Sequence, residues 1–230
     1  MLLNAINMAT IAPLRKDIDH PGEIKKHSGP VRLWHWLNLL VITGSLLTVL
    51  LNSTLFDVKS NTSYVQQQLQ ESGVSVTAQQ AKSVAHGLED QVWAIHIYFG
   101  YALAALFLFR LIAEFYQPGR QRFFSSLKDA YQTYRSRSQK STLALHDLTV
   151  KSLYLCFYLL LAIMAITGLL MAFDQELGIS KATSHSIKDF HGFCMYLILI
   201  FIAVHIIGVL LAERKESKGI VSDMINGGKA

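Results

Sequence analysis

Two histidines lie in the last long apolar segment of the chain, which runs from Phe190 to Leu211. They are His191 and His205, and a strongly polar side chain inside a membrane span is costly and marks a candidate functional site. The fourteen steps from His191 to His205 correspond to about 21 Å along a helix axis, and the two side chains point in directions that agree to within about 40°. One helix face therefore carries an imidazole near each membrane surface, as two stacked redox centres across a bilayer would require.

The composition predicts an integral membrane protein. Of its 230 residues, 51% are hydrophobic and 16% are charged. Four long apolar segments can each cross a hydrocarbon core of about 30 Å as a helix, the second only by including Arg110. The fold class is therefore all-α integral membrane, a four-transmembrane-helix bundle. The predicted spans are about 32–52, 92–114, 149–173 and 188–212, in a membrane domain at 28–215 between tails at 1–27 and 216–230.

The distribution of basic residues predicts the orientation. Five lysines or arginines precede or open the first span, seven lie between spans two and three or open the third, and four follow the last span. The 52–91 loop contains two, and the 174–187 loop contains one, with a second, Lys188, at the start of the last span. The positive-inside rule places both termini in the cytoplasm and makes 53–91 a periplasmic loop. The net charge of +5 thus reflects membrane orientation, and no nucleic-acid partner is predicted.

Sorting the histidines by depth gives two pairs. His96 on span two and His191 on span four lie near the outer surface, and we call them the outer pair. His35 on span one and His205 on span four lie near the inner surface and form the inner pair. Two imidazoles from different helices of a bundle are the ligands expected for a b-type haem. His35 alone is equally well explained as an interface residue of an aromatic belt, but four histidines in two depth-matched pairs predict two haem b groups.

Other metal chemistry fits the sequence less well. Zinc or copper would need three or four ligands close together, and two cysteines cannot supply an iron–sulfur cluster. No C-x-x-C-H motif is present for covalent haem attachment. Two histidines on each iron would leave no open position for oxygen, so electron transfer is the chemistry that remains.

Glycines lie near the level of the outer pair. Gly44 in VITGSLL of span one matches Gly168 in AITGLLM of span three, and Gly100 follows His96 by four residues. Missing side chains would leave room for a large planar ligand beside the histidines. The competing account is close packing of membrane helices through small residues.

The loop at 53–91 is long and rich in glutamine and serine. The segment from Thr77 to Asp90 combines an N-cap residue with good helix formers. We expect one or two short helices lying over the outer face of the membrane. The segment is either a solvated spacer, or a cover for the outer redox centre or docking surface for a partner.

The motif RLWHW at 32–36, the histidine of span two and the His-x13-His of span four resemble the bacterial four-helix cytochrome b family. That family includes the membrane cytochrome subunit of nickel–iron hydrogenases and other small di-haem cytochromes. The resemblance covers about 28–215. It implies two haem b groups, held by His35 with His205 and by His96 with His191. It also implies quinone exchange in the bacterial inner membrane, near the cytoplasmic haem.

Three further residues are weaker candidates. Arg32 and Arg110 are predicted to meet propionates of the inner haem, although Arg110 is equally well explained as an anchor that snorkels to the interface. His146, before span three, is a candidate quinone-site residue. The alternative is that His146 and Asp147 are simply a pair of polar residues at the start of a helix.

The sequence thus predicts a membrane di-haem b-type cytochrome that transfers electrons between the quinone pool and a periplasmic donor or acceptor. A hydrogenase-like partner protein or superoxide would fill the second role. The alternative is a non-redox membrane anchor or transporter component. The sequence leaves open whether the chain is an electron-transfer subunit or a quinone-linked oxidoreductase, and which oligomer it forms.

Overall fold

The structure is a computed structural model that describes residues 29–116, 122–136, 142–214 and 219–227. The predicted tail at 1–27 lies outside these residues. The described residues form helices joined by short turns. The helices are α1 (Gly29–Thr54), α2 (Val58–Glu71), α3 (Ala78–Tyr116), α4 (Phe123–Ser136), α5 (Thr142–Ala172), α6 (Lys181–Arg214) and α7 (Ile220–Asn226).

Four helices, α1, α3, α5 and α6, are long and apolar enough to cross a membrane. The predicted all-α class with four membrane-spanning helices is therefore confirmed. Many large apolar side chains on these helices are exposed, which suits lipid because hydrocarbon tails solvate them as well as a protein core would. Examples are Leu40, Leu50, Tyr98, Ile166 and Ile200.

The second span is part of a much longer helix than predicted. The segment from Thr77 to Asp90 is not a separate short helix, because α3 runs without a break from Ala78 to Tyr116. Thr77 and Gln80 form a capping box: Gln80 N donates to Thr77 Oγ1 at 3.2 Å, and Thr77 N donates to Gln80 Oε1 at 2.9 Å. The helix begins before its apolar part, so it extends beyond the predicted span at 92–114. Likewise α1, α5 and α6 begin several residues before the predicted spans.

Helix α2 and the first turns of α3 form a helical hairpin. Ser60 N donates to Asp57 Oδ1 at 2.9 Å, which caps α2 and lowers the pKa of the Asp57 carboxyl below its ordinary value. Gly73, with a φ of 81°, allows the chain to turn back after α2. Ala81 and Ala85 of α3 are fully buried, and α2 and α3 pack together. The predicted periplasmic loop is therefore largely folded.

The chain divides into two compact units. The central unit is Leu37–Ile198, and the terminal unit combines Met1–Trp36 with Leu199–Ala230. Helices α1 and α6 contribute residues to both. The outer pair belongs to the central unit and the inner pair to the terminal unit.

Part of the predicted tail at 216–230 is helical. Glu213 at the end of α6 accepts hydrogen bonds from Gly219 N at 2.8 Å and Val221 N at 3.1 Å, which fixes the turn into α7. Trp36 of α1 donates through Nε1 to Met224 O at 3.0 Å. These contacts join α7 to both long helices of the terminal unit.

Candidate functional site

The structure brings the outer pair together. His96 of α3 and His191 of α6 are both partly buried, and their ring centroids are 6.5 Å apart. An ion bound to one nitrogen of each of two opposed imidazoles at about 2 Å, the length of a zinc–histidine bond, would separate the centroids by roughly 6 Å. The observed separation therefore fits two imidazoles that would hold one metal ion between them.

A cavity of about 400 Å³ adjoins the outer pair. Side chains from α1, α3, α5 and α6 line it, and its wall is almost wholly apolar apart from the two imidazoles. Ser45 and the exposed Lys188 are the other polar or charged residues that line it. Ligand sites have this character: an apolar wall, a few convergent polar groups and a volume of about 300–1,000 Å³. The residues present thus fit a large, mostly apolar group bound by two imidazoles.

Two threonine hydroxyls contact the outer pair from the remaining helices. Thr48 Oγ1 of α1 lies 2.8 Å from His96 Nδ1, and Thr167 Oγ1 of α5 lies 2.7 Å from His191 Nδ1. Both threonines are buried. Each imidazole therefore has its Nδ1 engaged by the protein, which leaves Nε2 as the nitrogen available to a metal.

The three predicted glycines have different surroundings. Gly100 lines the cavity, and a Cβ there would meet nothing within 4 Å. Gly168 also lines the cavity, and a Cβ there would lie 3.6 Å from His191 Cε1. A Cβ at Gly44 would instead collide with the ring of Phe99. At Gly44 the ring of Phe99 from α3 thus occupies the space beside the backbone.

The inner pair is also brought together. The ring centroids of His35 and His205 are 6.2 Å apart, with an angle of 52° between the rings. Trp36 packs edge-on against His35 at 5.3 Å, and Phe201 stacks on His205 at 5.9 Å with 9° between the planes. This separation also fits two imidazoles that would hold one metal ion, here with an aromatic ring packed against each histidine.

The two predicted arginines have unequal environments. Arg32 packs against Gly227, where a Cβ would collide with the guanidinium, and its Nε is buried without a hydrogen-bond partner among the described residues. Arg110 is buried and bonded: Nη1 donates to Glu114 Oε2 at 2.8 Å, and Nε donates to Tyr158 OH at 3.1 Å. Arg32 therefore keeps donor capacity for a ligand, whereas Arg110 already has a counter-ion.

His146 lies exposed near the start of α5. No group of three or more histidine, cysteine, aspartate or glutamate side chains in the described ranges could hold a metal ion together. Sequence reasoning missed Thr48, Thr167, Lys188 and Phe201. A signal existed for Thr167 alone, because it stands in the repeated Ile-Thr-Gly motif next to Gly168.

Comparison with known proteins gives the family. The family model described as "Prokaryotic cytochrome b561" matches residues 26–227. A relative from Rhizobium leguminosarum bv. viciae, named "Probable Ni/Fe-hydrogenase B-type cytochrome subunit", is 24% identical over 228 residues, which cover 87% of this chain and 86% of the relative. No solved structure matches significantly.

These matches decide between the two functional classes that the sequence allowed. A non-redox anchor or transporter component is not supported, and the predicted resemblance to bacterial b-type cytochromes is confirmed. The protein is a multi-pass bacterial membrane protein that binds haem b and acts in electron transfer. The chain belongs to the prokaryotic cytochrome b561 family.

Proposed function

We propose that the chain binds two haem b groups, one between His96 and His191 and one between His35 and His205. The observation that carries the proposal is the pair of ring-centroid separations, 6.5 Å and 6.2 Å. Either separation alone is compatible with an ordinary aromatic contact. Two such pairs, each joining different helices, are better explained by two metal centres.

The residues around each pair suit electron transfer. When bound, haem b supplies a reversible one-electron couple. Two imidazoles on each iron would leave no position for substrate, and the apolar wall of the outer cavity would keep water away. Lys188 would meet a propionate of the outer haem and Arg32 one of the inner haem. Because Arg110 already has Glu114 as counter-ion, we propose no propionate contact for it.

The chain would lie in the inner membrane and exchange electrons with the quinone pool on the cytoplasmic side. A quinone would receive or release protons there, and His146, exposed on α5, is the candidate for that exchange. On the periplasmic side a protein such as a hydrogenase, or superoxide, would be the redox partner. The hydrogenase name of the Rhizobium relative supports the first, and the folded hairpin of α2 and α3 offers a surface for a docking protein.

Redox difference spectroscopy on the purified protein tests the proposal. We expect the reduced-minus-oxidised spectrum of a low-spin haem b and a pyridine haemochromogen assay that gives two haems per chain. A single haem per chain would contradict the di-haem proposal, and a colourless preparation from haem-replete cells would contradict haem binding itself.

The partner can be tested in native membranes. Hydrogen, superoxide and a reduced quinone analogue can each be added to membranes that contain the chain and to membranes that lack it. We expect one of these donors to reduce the haems of the chain much faster than the other two. If reduced quinone gives no haem reduction at any redox poise, the quinone part of the proposal is wrong.

A further inference from the structure

The two threonines that contact the outer pair also form hydrogen bonds within their own helices. Thr48 Oγ1 donates to Ser45 O at 2.6 Å, and Thr167 Oγ1 donates to Ile163 O at 2.7 Å. A hydroxyl has one proton to donate and two lone pairs with which to accept. Because each proton is used on a backbone carbonyl, each hydroxyl must act as the acceptor toward its histidine.

The acceptor role of the hydroxyls determines the histidine tautomers. His96 and His191 must donate through Nδ1–H, since Thr48 and Thr167 accept. In a neutral imidazole with the proton on Nδ1, the lone pair is on Nε2. Nε2 is then ready to bind a metal, and the hydrogen bond at Nδ1 orients the ring and raises its basicity as a ligand.

We propose that Thr48 and Thr167 are positioning residues of the outer haem site: they hold His96 and His191 in the metal-binding tautomer and lower the reduction potential of the haem bound there. This inference rests on the proposed function. The potential falls because a more basic ligand stabilises the ferric state more than the ferrous state. Each of the four long helices would thus supply one member of the site, a threonine or a histidine.

The two threonines are not equivalent. Among the described residues, Thr167 is the one hydrogen-bond partner of His191 Nδ1. His96 Nδ1 also lies 3.3 Å from Ser45 O and 3.4 Å from Ser45 Oγ, which can accept from it if the Thr48 hydroxyl is removed. Losing the hydroxyl of Thr167 should therefore have the larger effect.

Valine substitutions test the proposal, because valine keeps the shape of threonine and removes only the hydroxyl. The chain offers a matched control in Thr43, which stands in the Ile-Thr-Gly motif of α1 but is exposed. Redox titrations followed by haem spectra, with electron paramagnetic resonance of the oxidised proteins, compare the wild type with Thr167→Val, Thr167→Ser, Thr48→Val and Thr43→Val. The His191→Ala variant, which should lack the outer haem, shows which component of the titration belongs to that haem.

We expect Thr167→Val to raise the reduction potential of the outer haem only. The equilibrium constant for its reduction should change by up to about tenfold, which corresponds to about 59 mV for one electron. The substitution should also weaken retention of that haem, as second-shell losses do by about 10–100-fold. Thr167→Ser should restore both values, Thr48→Val should give a smaller shift, and Thr43→Val none.

Several results would overturn the proposal. One is an unchanged outer potential in Thr167→Val, and another is an equal shift in Thr43→Val. If Thr167→Ser loses the haem as Thr167→Val does, the methyl group matters and the hydroxyl does not, which also overturns it. These outcomes require a wild type that carries haem, so they are distinct from a failure of the proposed function, in which the wild type itself would lack the outer haem.

Discussion

The outer and inner pairs each consist of two histidines, but the surroundings of the two pairs differ. The outer pair adjoins a cavity lined by glycines and apolar residues, and two buried hydroxyls contact its imidazoles. The inner pair is packed by aromatic rings, with Phe201 stacked on His205 and Trp36 edge-on to His35. On the proposed assignment of one haem to each pair, the two haems would therefore differ in their properties because of their neighbours.

The largest expected effect separates the two centres outright. His191→Ala should halve the haem content by removing the outer haem, and His205→Ala should halve it by removing the inner one, because each change deletes one of two axial ligands. Haem assays and redox titration of the two variants should reveal complementary losses. If each variant loses both haems while still inserting as a folded protein, the two pairs are not independent sites.

Filling the cavity should act on the outer site alone. A Cβ at Gly168 would lie 3.6 Å from His191 Cε1, an ordinary contact, so Gly168→Ala should retain most of the outer haem. Gly168→Leu should exclude it, because the added side chain takes the space of the ligand. Haem content and potentials report the effect, and Gly208→Leu, at an exposed glycine of α6, is the control. A Gly168→Leu protein with both haems would contradict the assignment of the cavity.

Weakening the aromatic packing should act on the inner site alone. Phe201→Leu keeps an apolar side chain but removes the ring stacked on His205. Aromatic pairs contribute about 0.5–1.5 kcal/mol beyond their buried area, so retention of the inner haem should fall by roughly two- to tenfold. Competition with a haem-binding apoprotein measures how tightly each variant retains its haem. Phe193→Leu, at an exposed phenylalanine of the same helix, should behave as the wild type, and equal losses in both variants would contradict the prediction.

The smallest effect lies outside both pairs. The lowered pKa of Asp57 means that its cap stabilises α2 above the ordinary aspartate pKa, and that this contribution is lost as the pH falls through the lowered value. Asp57→Ala should speed amide exchange in the first turn of α2 at neutral pH while both haem spectra stay unchanged. Exchange as slow as in the wild type would show that the cap is dispensable.

Much of this architecture could be predicted from the sequence. Four apolar runs gave the four long helices, and the spacing of the histidines grouped them into pairs that the structure brings within 6.5 Å and 6.2 Å. These features depend on composition and on the helical repeat, which the sequence contains.

The rotation of one helix against another could not be predicted. Thr43 and Thr48 both lie on α1, yet one is exposed and the other is buried against His96. Likewise, Gly44 and Gly168 share the same motif, but Phe99 packs against the first and the cavity adjoins the second. Such differences depend on neighbouring helices, so a motif repeated in one chain can pack against an aromatic ring in one copy and line a cavity in the other.

The unbroken course of α3 has a mechanical consequence. The helical turns that pack Ala81 and Ala85 against α2 belong to the same continuous helix as His96. The face that carries the two alanines and the face that carries His96 are therefore fixed relative to each other. Inserting a single residue between them would rotate one face against the other by about 100° and advance it by about 1.5 Å. Substitutions could therefore change the surface of the hairpin of α2 and α3 freely. Insertions between the hairpin and His96 would be tolerated only in lengths that keep the His96 imidazole directed at His191.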